Sequence, residues 1–103
     1  KFTEMKIGGS MIKVNEYFSG NVKSMAVQNS DGEQTVGVMK AGEYKFSTSK
    51  KEFMFVASGQ MDVKLPGESE FKTISKHGDF VVEANQSFDV VVKEDTIYLC
   101  RYE

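Results

Sequence analysis

The sequence contains few of the residues that usually build metal sites and disulfides. Its 103 residues include one cysteine, one histidine and one proline. A single cysteine excludes an internal disulfide and fits a reducing compartment, so we expect a cytoplasmic protein. Zinc and iron sites usually use at least two or three histidine or cysteine ligands, which this chain does not supply. We therefore predict no metal and no other cofactor.

Two further absences concern the partners of the protein. The formal net charge is −2, whereas binding to nucleic-acid phosphates requires a basic surface. No apolar run approaches the roughly 20 residues that a membrane-spanning helix needs. We therefore expect neither a nucleic acid nor a membrane as a partner. The 40% apolar and 27% charged residues are ordinary for one small globular domain.

The first ten residues differ from the rest of the chain. They end in Gly8-Gly9-Ser10, and Met11, a plausible native start, follows them. This pattern favours a leader left from expression over a native extension. We therefore assign residues 1–10 to a leader or extension and residues 11–103 to a single domain.

From Met11 onward, the pattern is typical of β-strands. Apolar side chains occupy every second position along residues 60–65 and 88–92, which predicts strands with one buried face. The apolar run 53–57 predicts a strand that is buried on both faces. Turn residues recur roughly every eight to twelve positions, so the sequence predicts an all-β sandwich or barrel. We place four phenylalanines in its core: Phe53, Phe55, Phe80 and Phe88.

The most informative stretch is Tyr-Leu-Cys-Arg-Tyr at residues 98–102. It places a permanently charged guanidinium in an otherwise apolar strand. Burial of an unpaired charge costs several kcal/mol, so Arg101 either pairs with Glu52 or Glu16 or binds an anion. Successive side chains of a strand point to opposite faces, so Arg101 and Tyr98 do not both face inward unless a bulge intervenes. Of these two side chains, we expect Arg101 to face inward.

The spacing of Gly42, Glu52 and Gly59 is similar to the first conserved motif of the cupins, which are double-stranded jelly rolls. In metal-binding cupins, two histidines precede such a glutamate. Residues 46–51 here are Phe-Ser-Thr-Ser-Lys-Lys. The metal-binding half of the motif is therefore missing.

Four segments resemble a single family in the same order along the chain. They are Asn-Glu-Tyr-Phe-Ser-Gly-Asn-Val-Lys-Ser at 15–24, Val-Gly-Val-Met at 36–39, Gly-Glu-Tyr-Lys-Phe-Ser-Thr at 42–48, and Tyr-Leu-Cys-Arg-Tyr at 98–102. This family is the small cupin-type pyrimidine/purine nucleoside phosphorylases of bacteria, and the resemblance spans residues 14–102. One departure is the turn Glu83-Ala84-Asn85, where the family often has proline in place of Glu83. A second is the variable stretch 50–53.

The resemblance implies a cupin-like double-stranded β-helix, also called a jelly-roll barrel. It also implies phosphorolysis, in which inorganic phosphate displaces the base of a nucleoside and leaves pentose 1-phosphate. Phosphate is then a co-substrate, and both purine and pyrimidine nucleosides are substrates. The resemblance further implies that no metal takes part and that the protein is a homodimer.

Transfer of a pentose passes through an oxocarbenium-like sugar, and the resemblance suggests residues for each part of the site. The planar fork of Arg101 suits two phosphate oxygens, and Ser47 and Thr48 stand where metal-binding cupins have histidines. Arg101 and Glu52 are the catalytic candidates, with Glu52 holding ribose hydroxyls or balancing the charge of the sugar. The candidates for base stacking, which accepts every base, are Tyr44 and Phe46 on one wall and Tyr98 or Tyr102 on the opposite wall.

Each of these residues also has a structural interpretation. Glu52 fits an exposed loop, and Arg101 fits a salt bridge. Ser47 and Thr48 fit positions after a turn, as hydroxyl residues often do. Cys100 has apolar neighbours and no evident base partner, so a buried position suits it better than the role of a nucleophile.

Two other functions remain open for the whole chain. One is a non-catalytic cupin that binds a small anionic or sugar-like ligand. The other is a structural dimer in which Arg101 forms a salt bridge between subunits. The amino-terminal strand around Tyr17 and Phe18 is the predicted interface element, because exposed sheet edges favour pairing with another chain.

Overall fold

The computed structural model describes residues 11–103, and the predicted leader at residues 1–10 lies outside the described residues. The described chain forms ten β-strands and one short 3-10 turn, Phe18–Gly20, which follows the first strand. The strands are β1 (Val14–Tyr17), β2 (Val22–Asn29), β3 (Gly32–Met39), β4 (Gly42–Ser47), β5 (Glu52–Ser58), β6 (Met61–Lys64), β7 (Lys72–Ile74), β8 (Asp79–Val82), β9 (Ser87–Val92) and β10 (Thr96–Tyr102).

These strands form two antiparallel sheets that enclose the hydrophobic core. The six-stranded sheet has the order β1-β2-β3-β10-β5-β8, and the four-stranded sheet has the order β4-β9-β6-β7. The core contains buried side chains from both sheets. The predicted all-β domain is therefore confirmed. Within residues 11–103, no helix is long and apolar enough to cross a bilayer.

The alternating segments form strands with one buried face, as predicted. Met61 and Val63 of β6 are both 0% exposed, while Phe80 of β8 and Phe88 of β9 are 6% and 3% exposed. Burial of an apolar side chain of this size contributes about 1.5–3 kcal/mol. A shift of the register by one residue would expose all these side chains, so the period-two pattern fixes which face packs inward.

Strand β5 differs from the prediction, because only one of its faces is buried in the core. Met54 and Val56 point inward and are 4% and 0% exposed. Phe53 and Phe55 lie on the other face and are only partly buried, so their predicted place in the core is wrong. The physical reason is that no described strand covers the outer face of the six-stranded sheet.

Strand β10 lies in the middle of the six-stranded sheet, between β3 and β5, and Tyr102 is the register partner of Glu52. Tyr98 and Cys100 face the core and are 6% and 2% exposed. Arg101 therefore faces outward, because alternate side chains of a strand share a face. The expectation that Arg101 faces inward is wrong. This orientation buries the apolar rings and leaves the guanidinium partly in water, which avoids the cost of desolvating a charge.

Candidate functional site

A cavity of about 120 Å³ opens between the two sheets. It lies where β1, β4 and β10 end and where β5 begins. Both sheets contribute to its wall. The lining residues are Tyr17, Ser24, Met39, Phe46, Ser47, Glu52, Met54, Phe88, Tyr98, Cys100 and Tyr102. We call this cavity the central pocket.

Strand β10 supplies three polar side chains to one wall of the central pocket, namely Tyr98, Cys100 and Tyr102. The hydroxyl groups of Tyr102 and Thr35 are hydrogen-bonded at 3.0 Å. The Cys100 Sγ donates to Glu52 Oε1 at 3.6 Å. These two contacts connect β10 to its neighbours β3 and β5, so the polar wall is held by the sheet itself.

Glu52 is the one acidic residue among the described residues that line the central pocket. It is the first residue of β5, and its side chain is partly buried. Burial raises the pKa of the Glu52 carboxyl above its ordinary value, and the hydrogen bond from Cys100 opposes this effect. The described lining contains no lysine, arginine or histidine that would stabilise a carboxylate. The site thus favours the neutral carboxylic acid more than water does.

Three further titratable groups of the central pocket are neutral at pH 7. Burial raises the pKa of Tyr98 to about 12, and the hydrogen bond with Ser24 only partly offsets it. Burial, and then the charge of Glu52, raises the pKa of the Cys100 thiol. Burial likewise raises the pKa of Tyr102. Cys100 therefore does not present the thiolate that a nucleophilic cysteine needs.

Aromatic rings form the opposite wall and the rim of the central pocket. Phe46 stacks on Phe88 with ring centroids 5.6 Å apart. Behind this wall and outside the lining, Phe18 packs against Phe46 at 5.4 Å and against Tyr44 at 4.9 Å. Tyr17, the last residue of β1, completes the rim. The pocket thus combines flat apolar surfaces with neutral hydrogen-bonding groups.

The structure brings together five of the residues that the sequence suggested for the site. The residues that line the central pocket are Phe46, Ser47, Glu52, Tyr98 and Tyr102. They come from β5 and β10, which are neighbours in the six-stranded sheet, and from β4, which belongs to the four-stranded sheet. The double-stranded architecture places the end of β4 across from the end of β10, so residues about fifty positions apart share one cavity.

Arg101 does not belong to this group. Its guanidinium lies 4.2 Å from the centre of the Phe53 ring on the outer face of the six-stranded sheet. It forms a salt bridge with Glu103, not with Glu52 or Glu16 as considered from the sequence. A role for Arg101 in phosphate binding stays a prediction, and Arg101 is not among the residues that line the central pocket.

Thr48 and Tyr44 also lie outside the lining of the central pocket. Thr48 is 6% exposed; its Oγ1 donates to the carbonyl of Glu83 at 2.7 Å and accepts from the backbone N–H of Gln86 at 3.0 Å. Tyr44 is buried in the core, and its hydroxyl donates to the carbonyl of Lys40. Both hydroxyl groups therefore form hydrogen bonds with backbone groups. For Thr48 this is the structural role that the sequence also allowed, because hydroxyl residues often bond the backbone near turns.

Six lining residues were not among the predicted site residues: Tyr17, Ser24, Met39, Met54, Phe88 and Cys100. A signal for Cys100 was present in the sequence. Tyr98, Cys100 and Tyr102 alternate, so any arrangement that turns Tyr98 inward also turns the other two inward. Ser24 had no such signal, because its place in the pocket depends on how β2 pairs with β3.

The described residues 11–103 contain no group of three or more histidine, cysteine, aspartate or glutamate side chains placed to hold a metal ion. The chemical capacity of the central pocket therefore depends on one carboxyl group, three phenols, two serine hydroxyls and aromatic surfaces. Such a set fits a ligand that combines a flat ring with several hydroxyl groups.

Comparison with protein families and relatives gives a consistent result. The profile of the family described as pyrimidine/purine nucleoside phosphorylase matches residues 12–102. A protein of that name from Pseudomonas syringae pv. syringae is 52% identical over 92 residues, which are 89% of this chain and 99% of the relative. Another of that name, from Rhodopirellula baltica, is 50% identical over 91 residues, with 88% and 99% coverage.

Solved structures agree on the architecture. A Vibrio parahaemolyticus protein of unknown function has a TM-score of 0.86 at 44% identity, covering 91% of this chain and 100% of that chain. An RmlC-like cupin from Shewanella frigidimarina has a TM-score of 0.67 at 17% identity, with 95% and 88% coverage. The predicted cupin-like fold is therefore confirmed.

Proposed function

The chain belongs to the pyrimidine/purine nucleoside phosphorylase family, and from this membership we propose that it cleaves nucleosides by phosphorolysis. Inorganic phosphate attacks C1′ of the pentose and displaces the base. The products are the free base and pentose 1-phosphate, so the enzyme is a pentosyltransferase. Both purine and pyrimidine nucleosides are substrates in this proposal.

The observation that supports the proposal best is the composition of the central pocket. Its lining joins an aromatic wall, Phe46 and Phe88, to a polar wall that contains Tyr98, Tyr102 and Glu52. A nucleoside has the same two parts, a flat base and a polyhydroxylated sugar. Aromatic stacking accepts purines and pyrimidines alike, because every base has a π-face. Broad substrate use follows from this kind of contact.

We assign roles to the lining residues on the same basis. Phe46 and Tyr98 hold the base, while Ser47 and Glu52 contact the sugar and the reacting centre. Phosphate is bound by neutral donors, namely the serine and tyrosine hydroxyls. Hydrogen bonds from preorganised donors to developing charge are the largest single contribution in many enzymes.

The proposal includes a reaction that needs no metal. The central pocket offers one carboxyl and one thiol as potential metal ligands, fewer than zinc and iron sites usually use. Phosphate itself is the nucleophile, so no metal-bound water has to be activated. A cytoplasmic location stays a prediction.

The volume of the central pocket implies that its rim moves when substrate binds. Pockets for drug-sized ligands usually have volumes of about 300–1,000 Å³, whereas this one has about 120 Å³. Strand β1, which carries Tyr17, is at an edge of its sheet and pairs with β2 alone. Outward movement of β1 and the following turn would enlarge the entrance.

We place the interface of a homodimer on the outer face of the six-stranded sheet. Apolar side chains that are 37–56% exposed cover this face: Val14, Met25, Val27, Val38, Ile97 and Leu99. Monomeric proteins rarely expose contiguous apolar patches larger than a few hundred Å². A second copy of the chain would cover the same face in a twofold contact. The alternative interface around Tyr17 and Phe18 also stays a prediction.

The proposal is tested by identifying the products. The purified chain is incubated with inosine or uridine in phosphate buffer, and pentose 1-phosphate is measured by phosphorus NMR alongside the free base. We expect equal amounts of the two products. Base released without the phosphate ester would instead indicate a hydrolase.

One observation favours a second candidate function. The described lining of the central pocket contains no lysine, arginine or histidine, although charged side chains are the strongest donors to phosphate. A non-catalytic cupin that binds a neutral, sugar-like ligand needs no such cation. Binding of a nucleoside or pentose without any product would support this candidate.

A further inference from the structure

We propose that Glu52 is the general acid of the reaction and gives its proton to the departing base. This inference rests on the proposed phosphorolysis and names the group that assists the leaving base. As the C1′–N bond breaks, negative charge collects on the base. A positioned acid that protonates such a leaving group typically contributes about 10²–10⁴-fold in rate.

The surroundings of Glu52 support this role. The carboxyl opens into the central pocket, where one thiol and three phenols face it from β1 and β10, namely Cys100, Tyr17, Tyr98 and Tyr102. Ser47 of β4 and Phe88 of β9 line the same space, and Val82 opposes Glu52 on β8. None of these groups carries a positive charge.

Lys51, which precedes Glu52 in the chain, and Arg101, which precedes its register partner Tyr102, are directed to other partners. The Nζ of Lys51 lies 3.8 Å from Glu83 Oε2 and 5.1 Å from the centre of the Phe53 ring. Arg101 pairs with Glu103 on the outer face. Neither contact offers compensation to an ionised Glu52, so desolvation favours the neutral acid.

Phosphate binding gives a second reason for a neutral Glu52. A phosphate dianion and a carboxylate in one small pocket would repel each other, and no described cation lies between them. A protonated carboxyl group does not repel phosphate and keeps one O–H to donate. Glu52 is thus suited to donate a proton in the same pocket that admits the anion, as a carboxylic acid kept neutral by an apolar site can do.

The proton balance of the step is complete. One oxygen of HPO₄²⁻ forms the bond to C1′ while the C1′–N bond breaks, and the electron pair of that bond stays on the base. The proton of Glu52 moves to the nitrogen or oxygen of the base where charge collects. The new phosphate ester still carries one proton, which returns to the Glu52 carboxylate.

The test compares two leaving groups in the presence of phosphate. Inosine needs a proton on its departing base, whereas 7-methylinosine carries a cationic base that leaves without one. The kcat for each is measured with the wild type, with Glu52→Gln, and with the control Glu83→Gln. Glu83 is an exposed carboxylate, with 71% of its side chain accessible, and it lies outside the central pocket.

We expect Glu52→Gln to lose about 10²–10⁴ in kcat on inosine and less than about tenfold on 7-methylinosine. The Glu83→Gln variant should match the wild type on both substrates. The wild-type kcat on inosine should also fall as the pH rises through the pKa of Glu52, and this fall should be absent with 7-methylinosine.

Equal losses on both substrates would overturn the inference, because Glu52 would then bind the sugar without donating a proton. An unchanged kcat of Glu52→Gln on inosine would overturn it as well. If the wild type releases no base from either substrate in phosphate, the proposed function itself fails, and the inference fails with it.

Discussion

Tyr98 of β10 lies across Gly37, its register partner on β3. A Cβ atom at position 37 would be 2.5 Å from the Tyr98 hydroxyl oxygen and would also collide with the ring. Glycine at position 37 is therefore what allows the phenol to lie against the strand and reach the central pocket. The sequence Val-Gly-Val-Met at residues 36–39 thus has a structural purpose that is visible only in the paired sheet.

We expect Gly37→Ala to displace the Tyr98 ring and to reduce both stability and activity. Overpacking of this kind typically costs about 1–3 kcal/mol. Urea unfolding and kcat/KM for inosine measure the two effects. The double variant Gly37→Ala/Tyr98→Ala should be more stable than the sum of the single changes implies, because the collision is removed. Additive losses would show that Gly37 and Tyr98 are not coupled.

The raised pKa of Glu52 predicts how stability depends on pH. In the folded state the Glu52 carboxyl binds its proton more tightly than an unperturbed glutamate, whose pKa is 4.5. The contribution of the neutral acid to stability is therefore fully present below that value and is lost as the pH rises through the pKa of the folded state. Glu52→Gln should accordingly gain stability relative to the wild type between pH 4 and pH 8, measured by urea unfolding. If the difference in unfolding free energy between Glu52→Gln and the wild type were the same at pH 4 and pH 8, the raised pKa of Glu52 would be contradicted.

The outward direction of Arg101 predicts that Arg101→Ala keeps a kcat within a few-fold of the wild type. Its guanidinium contacts Phe53 and Glu103 and does not line the central pocket. The kcat of Arg101→Ala is measured from phosphate-dependent base release. Lys45→Ala is the control, because it removes a salt bridge on the other sheet. A loss of roughly 10²–10³, as expected when one preorganised donor is removed, would instead show that Arg101 reaches the phosphate.

If two copies of the chain associate through the outer face of the six-stranded sheet, Leu99→Lys should dissociate the dimer into monomers. Leu99 is 41% exposed near the middle of the apolar face, and a lysine there would place two like charges in a twofold contact. Sedimentation velocity at micromolar concentration should show a dimer for the wild type and a monomer for Leu99→Lys. Glu43→Lys, on the outer face of the four-stranded sheet, should stay dimeric. A wild-type monomer would exclude this interface.

Much of the fold was predictable because it follows from local patterns. The alternation around Met61 and Phe88 determined which side of β6 and β9 is buried, and it is confirmed. Strand β5 was harder, since Phe53 and Phe55 are as apolar as their inward neighbours. Whether such a face is covered depends on what packs on the sheet, and the local sequence does not record that.

The site was only partly predictable for a related reason. The charge of Arg101 in an apolar strand led us to expect this residue on the inward face of β10. Which face of a strand packs inward is decided by the burial of all its side chains together. Tyr98, Cys100 and Tyr102 supply more apolar surface than Leu99 and Arg101, so the strand turns the aromatic set inward. Thr48 and Ser47 are adjacent, yet only Ser47 lines the pocket. Ser47 is the last residue of β4, whereas Thr48 follows the strand and its hydroxyl bonds backbone groups of Glu83 and Gln86.

Phosphorolysis without a metal is tested most directly by measuring the initial rate of base release as a function of phosphate concentration. The protein is first stripped of metal with a chelator, and inosine and uridine are the substrates. We expect a rate that is zero without phosphate, rises to saturation with it and is unaffected by the chelator. Base release that is independent of phosphate, or that requires an added metal ion, would contradict metal-free phosphorolysis.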